Sequence, residues 1–178
     1  MQPANEATVA VNNPVQEAWY ALQTRVRFER SICDHILRKG HEAYVPVIRA
    51  RRRWSDRQQM VDQPLFPGYV FVRAVSGHED KLAILQTGGA YGFVTFCGAI
   101  ACICGQQIED LRRIEESNPS CVAHPYLIAG TRVRIHGGCL DGLEGIFIAE
   151  RSGRLVVSIA PMQRSIALDL DGYEFEIL

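Results

Sequence analysis

Five side chains of the kinds that bind zinc occur close together in the middle of the chain. They are Cys97, Cys102, Cys104, Cys121 and His124. A structural zinc site needs about four ligands with compatible spacing. The C-x-C here has no second tight pair of the usual kind. We therefore interpret these residues as buried or free thiols and predict no bound metal.

No combination of residues in the sequence is typical of a catalytic centre. Neither a Ser-His-Asp motif nor a Cys-His motif occurs in a recognisable context. No phosphate-cradling glycine loop follows a predicted strand, and the pair Gly137-Gly138 indicates a turn between strands. We predict that the protein is not an enzyme and that it uses no cofactor.

A basic segment, Arg49–Arg57, contains five arginines and Trp54. Arginine suits contact with phosphate, and a tryptophan ring can stack on an exposed base. The segment is therefore a candidate nucleic-acid contact, carried by Arg51, Arg52, Arg53 and Trp54. The alternative is a hairpin tip whose charges serve only solvation.

The distribution of charge favours the first half of the chain for such a contact. The net charge of the whole chain is −1. Residues 19–86 carry 12 Lys and Arg against 7 Asp and Glu, whereas residues 128–178 carry 5 against 7. Any nucleic-acid face should therefore lie in the first half, and the second half needs a different partner or none.

An aromatic strand is predicted at residues 65–72. Side chains alternate between the faces of a strand, so Tyr69 and Phe71 should share one face and the neighbouring valines the other. With Phe66, and with Phe93 or Phe96 from a neighbouring strand, these rings could line an open apolar depression that receives a partner's helix. The alternative is that all of these aromatics are core.

Apolar periodicity predicts alternating strands and helices in the first 117 residues. A helix should begin near Arg27 and end before Gly40, with Thr24 as its N-cap. Its apolar stripe is Phe28, Ile32, Cys33, Ile36 and Leu37. The other predicted elements are strands at 19–23, 41–48, 65–72 and 91–96, and helices at 79–86 and 106–116. This order predicts an α+β fold, with helices covering one face of an antiparallel sheet.

The pattern changes after a proline-containing stretch. Residues 118–127 read as a linker, and residues 128–178 contain five short alternating strands with glycine turns. These features predict a small closed β-barrel without a substrate cavity. The predicted organisation is a disordered leader at 1–17, a domain at 18–117, the linker, and the barrel at 128–178.

The amino-acid composition agrees with a soluble globular protein. Apolar residues make up 47 % of the chain and charged residues 22 %. No stretch approaches the roughly 18 apolar residues that cross a bilayer, and the N-terminus lacks the features of a signal peptide. We expect a cytoplasmic protein with no membrane partner.

Three segments resemble the NusG family of transcription elongation and antitermination factors. The first is Trp19-Tyr20 followed by the sequence PLFPGYVFV at residues 64–72, which resembles the N-terminal NGN domain. The others are residues 130–146, which resemble the KOW motif, and residues 154–170, which resemble the later part of NusG-type KOW domains. The sequences of residues 64–73 and 163–170 favour a specialised RfaH-like or UpxY-like paralogue. The implied fold is an NGN-like α+β domain followed by an SH3-like KOW barrel.

The resemblance implies a mechanism and a set of contact residues. NGN domains dock on the clamp helices of the largest subunit of RNA polymerase and suppress pausing, while KOW domains bind partners such as Rho or a ribosomal protein. The expected polymerase-binding residues are Phe66, Tyr69, Phe71, Phe93 and Phe96. The expected contacts to non-template DNA or nascent RNA are Trp19, Arg25, Arg27, His35, Arg51, Arg52, Arg53 and Trp54.

Some positions depart from the specialised paralogues. RfaH holds its KOW domain as a helical hairpin, secured by an acidic residue where this chain has Gln63. The turn glycines and branched residues of the second half favour strands instead. An alternative function is a ribosome-associated or RNA-binding KOW protein, which the acidic balance of the second half disfavours.

Overall fold

The structure is a computed structural model that describes residues 17–54, 57–75, 78–96, 98–124, 126–127, 130–148, 153–170 and 172–178. The side chains of residues 51–54, 57–58, 78–79 and 122–123 are outside this description. The elements of the N-terminal domain are β1 (Glu17–Thr24), α1 (Glu29–Arg38), β2 (Glu42–Tyr44), β3 (Val47–Trp54), β4 (Arg57–Pro64), β5 (Tyr69–Val75), α2 (His78–Leu85), β6 (Ala90–Phe93), β7 (Thr95–Phe96), β8 (Ala99–Ile100), β9 (Cys102–Ile103) and α3 (Gly105–Ser117).

An antiparallel sheet in the order β2-β5-β1-β6 forms the centre of this domain, and β9 also pairs with β1. Strands β3 and β4 form a separate hairpin. The predicted strand at 41–48 is divided between β2 and β3, and Pro46, which has no N–H to donate, lies at the break. The predicted strand at 65–72 begins only at Tyr69, because Gly68 adopts a turn with φ of +84°.

Helices cover both faces of the sheet, which corrects the prediction of helices on one face. One face packs against α1 and α2 through Tyr20, Leu22, Ile32, Ile36, Val70, Val72 and Ile84. The opposite face, which we call the α3 face, packs Trp19, Ala21 and Phe71 with Ile108, Leu111 and Ile114 of α3. The three α3 residues are spaced by three positions, so they form one stripe toward the sheet.

The C-terminal β-domain contains β10 (Cys121–His124), β11 (Thr131–His136), β12 (Glu144–Ile148), β13 (Arg154–Ile159), β14 (Arg164–Asp169) and β15 (Glu174–Ile177). Their order in the sheet is β10-β14-β13-β12-β11-β15, all antiparallel. The predicted fold class, an α+β domain followed by a small β-rich domain, is confirmed. The stretch predicted as a linker contains β10, which is paired to β14.

The two domains are in contact. One continuous cluster of buried apolar side chains contains residues of the α3 face and of the β-domain interior. Arg113 of α3 donates to the carbonyl oxygen of Asp141, and the side-chain amide of Gln107 donates to the carbonyl oxygen of Ser158 at 3.2 Å. The β-domain therefore rests beside α3 on the α3 face of the N-terminal domain.

Candidate functional site

The five aromatics predicted to bind the polymerase do not share one surface in the structure. Phe71 is 0 % exposed and Phe66 is also buried, both on the α3 face. Phe93 is buried on the opposite face, where its ring meets Tyr20 edge to face at 5.9 Å. Only Tyr69, which is half-buried, and Phe96, which is 57 % exposed, remain accessible to any degree. The expectation of one open depression lined by Phe66, Tyr69 and Phe71, with Phe93 or Phe96, is therefore wrong.

Helix α3 seals Phe71 and is itself held in place by polar contacts. The Tyr44 hydroxyl donates to the carboxylate of Glu115 at 2.6 Å, and the backbone N–H of Val47 donates to the same carboxylate at 3.1 Å. Burial and the bond to Glu115 raise the pKa of Tyr44 well above its ordinary value, so the hydroxyl keeps its proton as the donor. The cover over Phe71 is thus part of the N-terminal fold.

Tyr69 lies where the β-domain meets the N-terminal domain. The guanidinium of Arg164 is 5.9 Å from the centre of the Tyr69 ring, within the range of a cation–π contact. The turn that precedes Arg164 forms one wall of a cleft of about 520 Å³. That cleft is lined by Phe96, Ala101 and Cys102 from the N-terminal domain and by Tyr126, Ala160, Pro161 and Gln163. We call residues 160–164 the 160–164 turn; it adjoins both accessible aromatics.

The loop between β1 and α1 carries the second group of predicted contacts. Arg25 and Arg27 are both exposed, and neither forms an ion pair within the described part of the chain. The guanidinium of Arg25 lies 4.4 Å from the centre of the Phe28 ring. Arg27 has a φ of +72°, a backbone conformation that is sterically unfavourable for residues other than glycine. Residues 25–28, here named the arginine loop, therefore present unneutralised positive charge to solvent.

Hydrogen bonds on both sides fix the arginine loop. The N–H of Thr24 donates to the carbonyl of Gly68 at 2.8 Å, and the N–H of Arg25 donates to the carbonyl of Gly89 at 2.9 Å. The buried carboxylate of Glu29 accepts the N–H of Gly68 at 2.7 Å. Thr24 itself belongs to β1 and its buried hydroxyl has no partner among described atoms, so its predicted role as helix cap is wrong.

Replacing Glu29 tests this anchor. Glu29→Ala should lower the free energy of unfolding by about 1–3 kcal/mol, because the N–H of Gly68 loses its buried acceptor. Glu29→Gln should lose less, since an amide oxygen can accept the same bond. Urea unfolding of both variants and the wild type measures the difference. Equal stability of Glu29→Ala and wild type would show that the contact contributes nothing.

The two basic segments lie on the same side of the N-terminal domain. Asp62, on β4, accepts from Arg30 at 3.3 Å and lies 3.5 Å from the guanidinium of Arg49 on β3. This bridge connects the first turn of α1 to the base of the β3–β4 hairpin. The side chains of Arg51, Arg52, Arg53 and Trp54 lie outside the described part of the molecule, although their backbone belongs to β3.

Two further predicted nucleic-acid contacts have different surroundings. Trp19 is buried on the α3 face, beneath the guanidinium of Arg112 at 5.7 Å, so the expectation of an accessible ring is wrong. His35 is exposed on α1, as a surface contact requires, and its role stays a prediction. The helical spacing predicted that Phe28 is buried, but it is exposed and contacts Arg25. Its two arginine neighbours, Arg25 and Arg27, were the feature of the sequence that could have indicated a surface position.

The cysteines divide into buried and exposed thiols. Burial raises the pKa of Cys33 and of Cys121 to about 11, so both stay protonated near neutral pH. Cys102, Cys104 and Cys139 are exposed and free, and Cys97 lies outside the described residues. Within the ranges described, no three or more His, Cys, Asp or Glu side chains are grouped to hold a metal ion.

Two findings concern long stretches of the chain rather than single residues. Among the described helices, none is long and apolar enough to cross a membrane. The model of the family described as transcription termination factor NusG matches residues 17–112, more than half of the chain.

The chain belongs to the NusG family.

A relative and a solved structure are similar to this chain over most of its length. The transcription termination/antitermination protein NusG of Lactococcus lactis subsp. lactis (strain IL1403) is 23 % identical and covers 90 % of this chain and 92 % of its own. A solved structure described as domain interaction in Thermotoga maritima NusG matches with a TM-score of 0.52 at 20 % identity. It covers 89 % of this chain and 97 % of its own, and at this identity the likeness shows the fold alone.

Proposed function

We propose that this NusG-family chain is a non-enzymatic transcription elongation and antitermination factor that binds RNA polymerase through its N-terminal domain. The match over residues 17–112 supports the assignment of polymerase binding to that domain. The Lactococcus relative is named a termination/antitermination protein, which supports an action on pausing or termination. The docking partner in this proposal is the pair of clamp helices of the largest polymerase subunit.

Tyr69 is the observation that carries this proposal. Of the rings in the PLFPGYVF segment, Phe66 and Phe71 are buried, whereas Tyr69 is only half-buried and adjoins Arg164 of the β-domain. A helix of the polymerase that reached Tyr69 would have to displace the 160–164 turn. Docking is therefore expected to compete with the contact between the two domains, and a closed and an open arrangement follow from the proposal.

Substitutions on the two sides of this contact should have opposite effects on polymerase binding. Tyr69→Ala removes the docking ring and should reduce capture of core RNA polymerase at least tenfold, as truncation of an aromatic anchor does. Arg164→Ala frees the ring without changing it and should leave capture equal or increased. Tyr91→Ala, at an exposed tyrosine on β6, is the matched control. Undiminished capture by a natively folded Tyr69→Ala protein would refute this docking surface.

Nucleic acid near the polymerase is the second proposed partner. Arg25 and Arg27 lack acidic partners within the described residues, and the Asp62 bridge brings the arginine loop and the hairpin base to one side of the domain. Non-template DNA or nascent RNA could then follow this side toward Arg51, Arg52, Arg53 and Trp54. Guanidinium groups and one indole are suited to a strand with phosphates and unstacked bases.

A protein is the more fitting partner for the β-domain. Two of its arginines on β11 are already paired: Arg132 with Glu144 at 3.1 Å, and Arg134 with Glu144 and Glu176 at 2.6 and 3.2 Å. Paired guanidinium groups have little charge left for phosphate, which disfavours the alternative of an RNA-binding KOW module. We assign this domain to recruitment of a partner such as Rho or a ribosomal protein.

The finer proposal is a specialised paralogue of the RfaH-like or UpxY-like kind. Its support is the sequence of residues 64–73 and 163–170, which leans toward those paralogues. The β-domain is built of strands here, unlike the helical resting state of RfaH. Occupancy on a few operons rather than on nearly every gene is the observation that would separate a specialised factor from a general one.

A further inference from the structure

We propose that the arginine loop is a stacking site for one unpaired nucleobase, with the Phe28 ring and the Arg25 guanidinium as the platform. The inference rests on the proposed contact with nucleic acid and names its chemistry: a single strand with a splayed base, rather than a duplex.

The exposure of the apolar side chains in this loop needs an explanation. Val26 is 56 % exposed and Phe28 is 45 % exposed, although both flank a well-anchored turn next to a buried sheet. Phe28 precedes the first residue of α1, so its ring lies off the helix face that packs in the core. An aromatic ring held at the surface beside a cation is the arrangement that stacks on bases in single-strand binding proteins.

The Arg25 guanidinium makes the ring more suitable for a base than for an apolar partner. The guanidinium lies over one face of the ring, 4.4 Å from its centre, so a base can stack on the opposite face of the ring or on the outer face of the guanidinium. An apolar protein surface over the same spot would have to remove that charge from water, which is costly. The absence of an acidic partner for Arg25 within the described residues leaves its charge available to a phosphate of the bound strand.

Arg27 supplies the third element of the site. Its φ of +72° places it in the left-handed region, where glycine would be less strained. Such strain is common at binding sites, where the surroundings hold a residue in a productive orientation. Here the flanking bonds from Thr24 to Gly68 and from Phe28 to Arg25, at 2.8 and 3.1 Å, hold the turn. Arg27 is exposed and precedes Phe28 in the chain, so its positive charge is available to a backbone phosphate of the bound strand.

The experiment compares two fluorescein-labelled single-stranded DNA probes of about 12 nucleotides, a length within the usual site sizes. One carries bases throughout, and the other is abasic at its central positions but has the same phosphates. Fluorescence anisotropy with the full-length protein gives both affinities. Phe28→Ala should weaken binding of the normal strand about fivefold to a hundredfold and leave the abasic strand within about twofold.

Three variants separate stacking from charge. Val26→Ala, the exposed apolar neighbour, should bind both probes as the wild type does. Arg27→Gly relieves the left-handed strain, so it should keep or raise the melting temperature while weakening both probes equally. Replacing Arg51, Arg52 and Arg53 together by Ala should reduce the salt dependence for both probes and leave their affinity ratio unchanged.

The outcomes keep this inference separate from the proposed function. Equal binding of the normal strand by Phe28→Ala and wild type would overturn the stacking site, as would an equal loss on both probes. A Phe28→Ala protein that loses polymerase capture but keeps strand binding would mean that the loop contacts protein instead. Failure of the wild type to capture polymerase, with the probe results as expected, would overturn the docking proposal alone.

Discussion

Phe71→Ala should lower the free energy of unfolding by about 3–5 kcal/mol, which is enough to threaten the fold of the N-terminal domain. The ring is fully buried on the α3 face, with its centre 6.0 Å from that of Phe66 and 6.4 Å from that of Tyr44. Truncation leaves a cavity between the sheet and α3, which Glu115 clamps to Tyr44 and Val47, so the helix cannot easily collapse into the space. Urea unfolding, followed by circular dichroism, measures the loss.

Phe96 provides the matched control for this substitution. Phe96→Ala removes the same ring from a position that is 57 % exposed, so its effect on stability should stay within about 0.5 kcal/mol. A Phe71→Ala protein as stable as Phe96→Ala would mean that α3 does not seal this ring. The α3 face would then be open to a partner's helix, as the sequence had suggested, and the docking surface would have to be drawn again around Phe71.

The alternation of residues along β5 was predictable from the sequence, but the cover over it was not. Val70 and Val72 do lie on the opposite face from Phe71, as the two-residue period requires. Whether a face is open depends on where the third helix packs. The stripe of Ile108, Leu111 and Ile114 is equally compatible with either face until the chain path is known. The prediction of an open depression assumed that all helices lie on the face opposite Phe71, whereas α3 packs on the same face as Phe71.

The start of α1 shows a second limit of periodicity. Ile32, Cys33 and Ile36 are buried as the helical stripe predicts, whereas Phe28 and Leu37 are exposed. Counting by 3.6 residues assumes that the helix already exists at Phe28, but the left-handed turn at Arg27 delays its first residue to Glu29. A glycine indicates a possible positive φ in the sequence, but nothing in the sequence indicates that an arginine adopts one. The proposed base-stacking site is located at this failure of the pattern.

The strand β10 was missed because its sequence carries little of its own preference. Cys121–His124 is short, lies near two prolines and owes its conformation to pairing with β14. Pairing between strands that are distant in sequence is decided by the tertiary fold. It therefore cannot be predicted from the four residues of β10 alone. With β10 paired to β14, residues 118–120 form the whole connection between α3 and the β-domain. Three residues span at most about 10 Å, which keeps the two domains together.

Release of β10 is therefore expected to control separation of the domains, and proline substitutions at adjacent positions can test this. Asp169 donates its N–H to the carbonyl of Ser120 at 3.0 Å, and Ser120 thus faces β14. Residues two apart face the same way, so Val122, opposite Ala167, also points its N–H at β14, whereas Ala123 points away. Val122→Pro removes a bond of the ladder, and Ala123→Pro removes an N–H that the ladder does not use.

Val122→Pro should detach β10 and extend the connection to residues 118–130, which can span about 45 Å. Loss of this ladder bond, which leaves an acceptor on β14 unsatisfied, costs about 1–3 kcal/mol, so the open arrangement should gain about fivefold to a hundredfold. Hydrogen exchange at Ser165 and Ala167 of β14 should accelerate, and polymerase capture should rise, while Ala123→Pro should match the wild type in both. If exchange accelerates but solution scattering shows no change in the radius of gyration, pairing of β10 does not keep the domains together. The apolar cluster that they share would then hold them without it. If neither proline alters exchange, the strand pairing itself is refuted, independently of what the polymerase does.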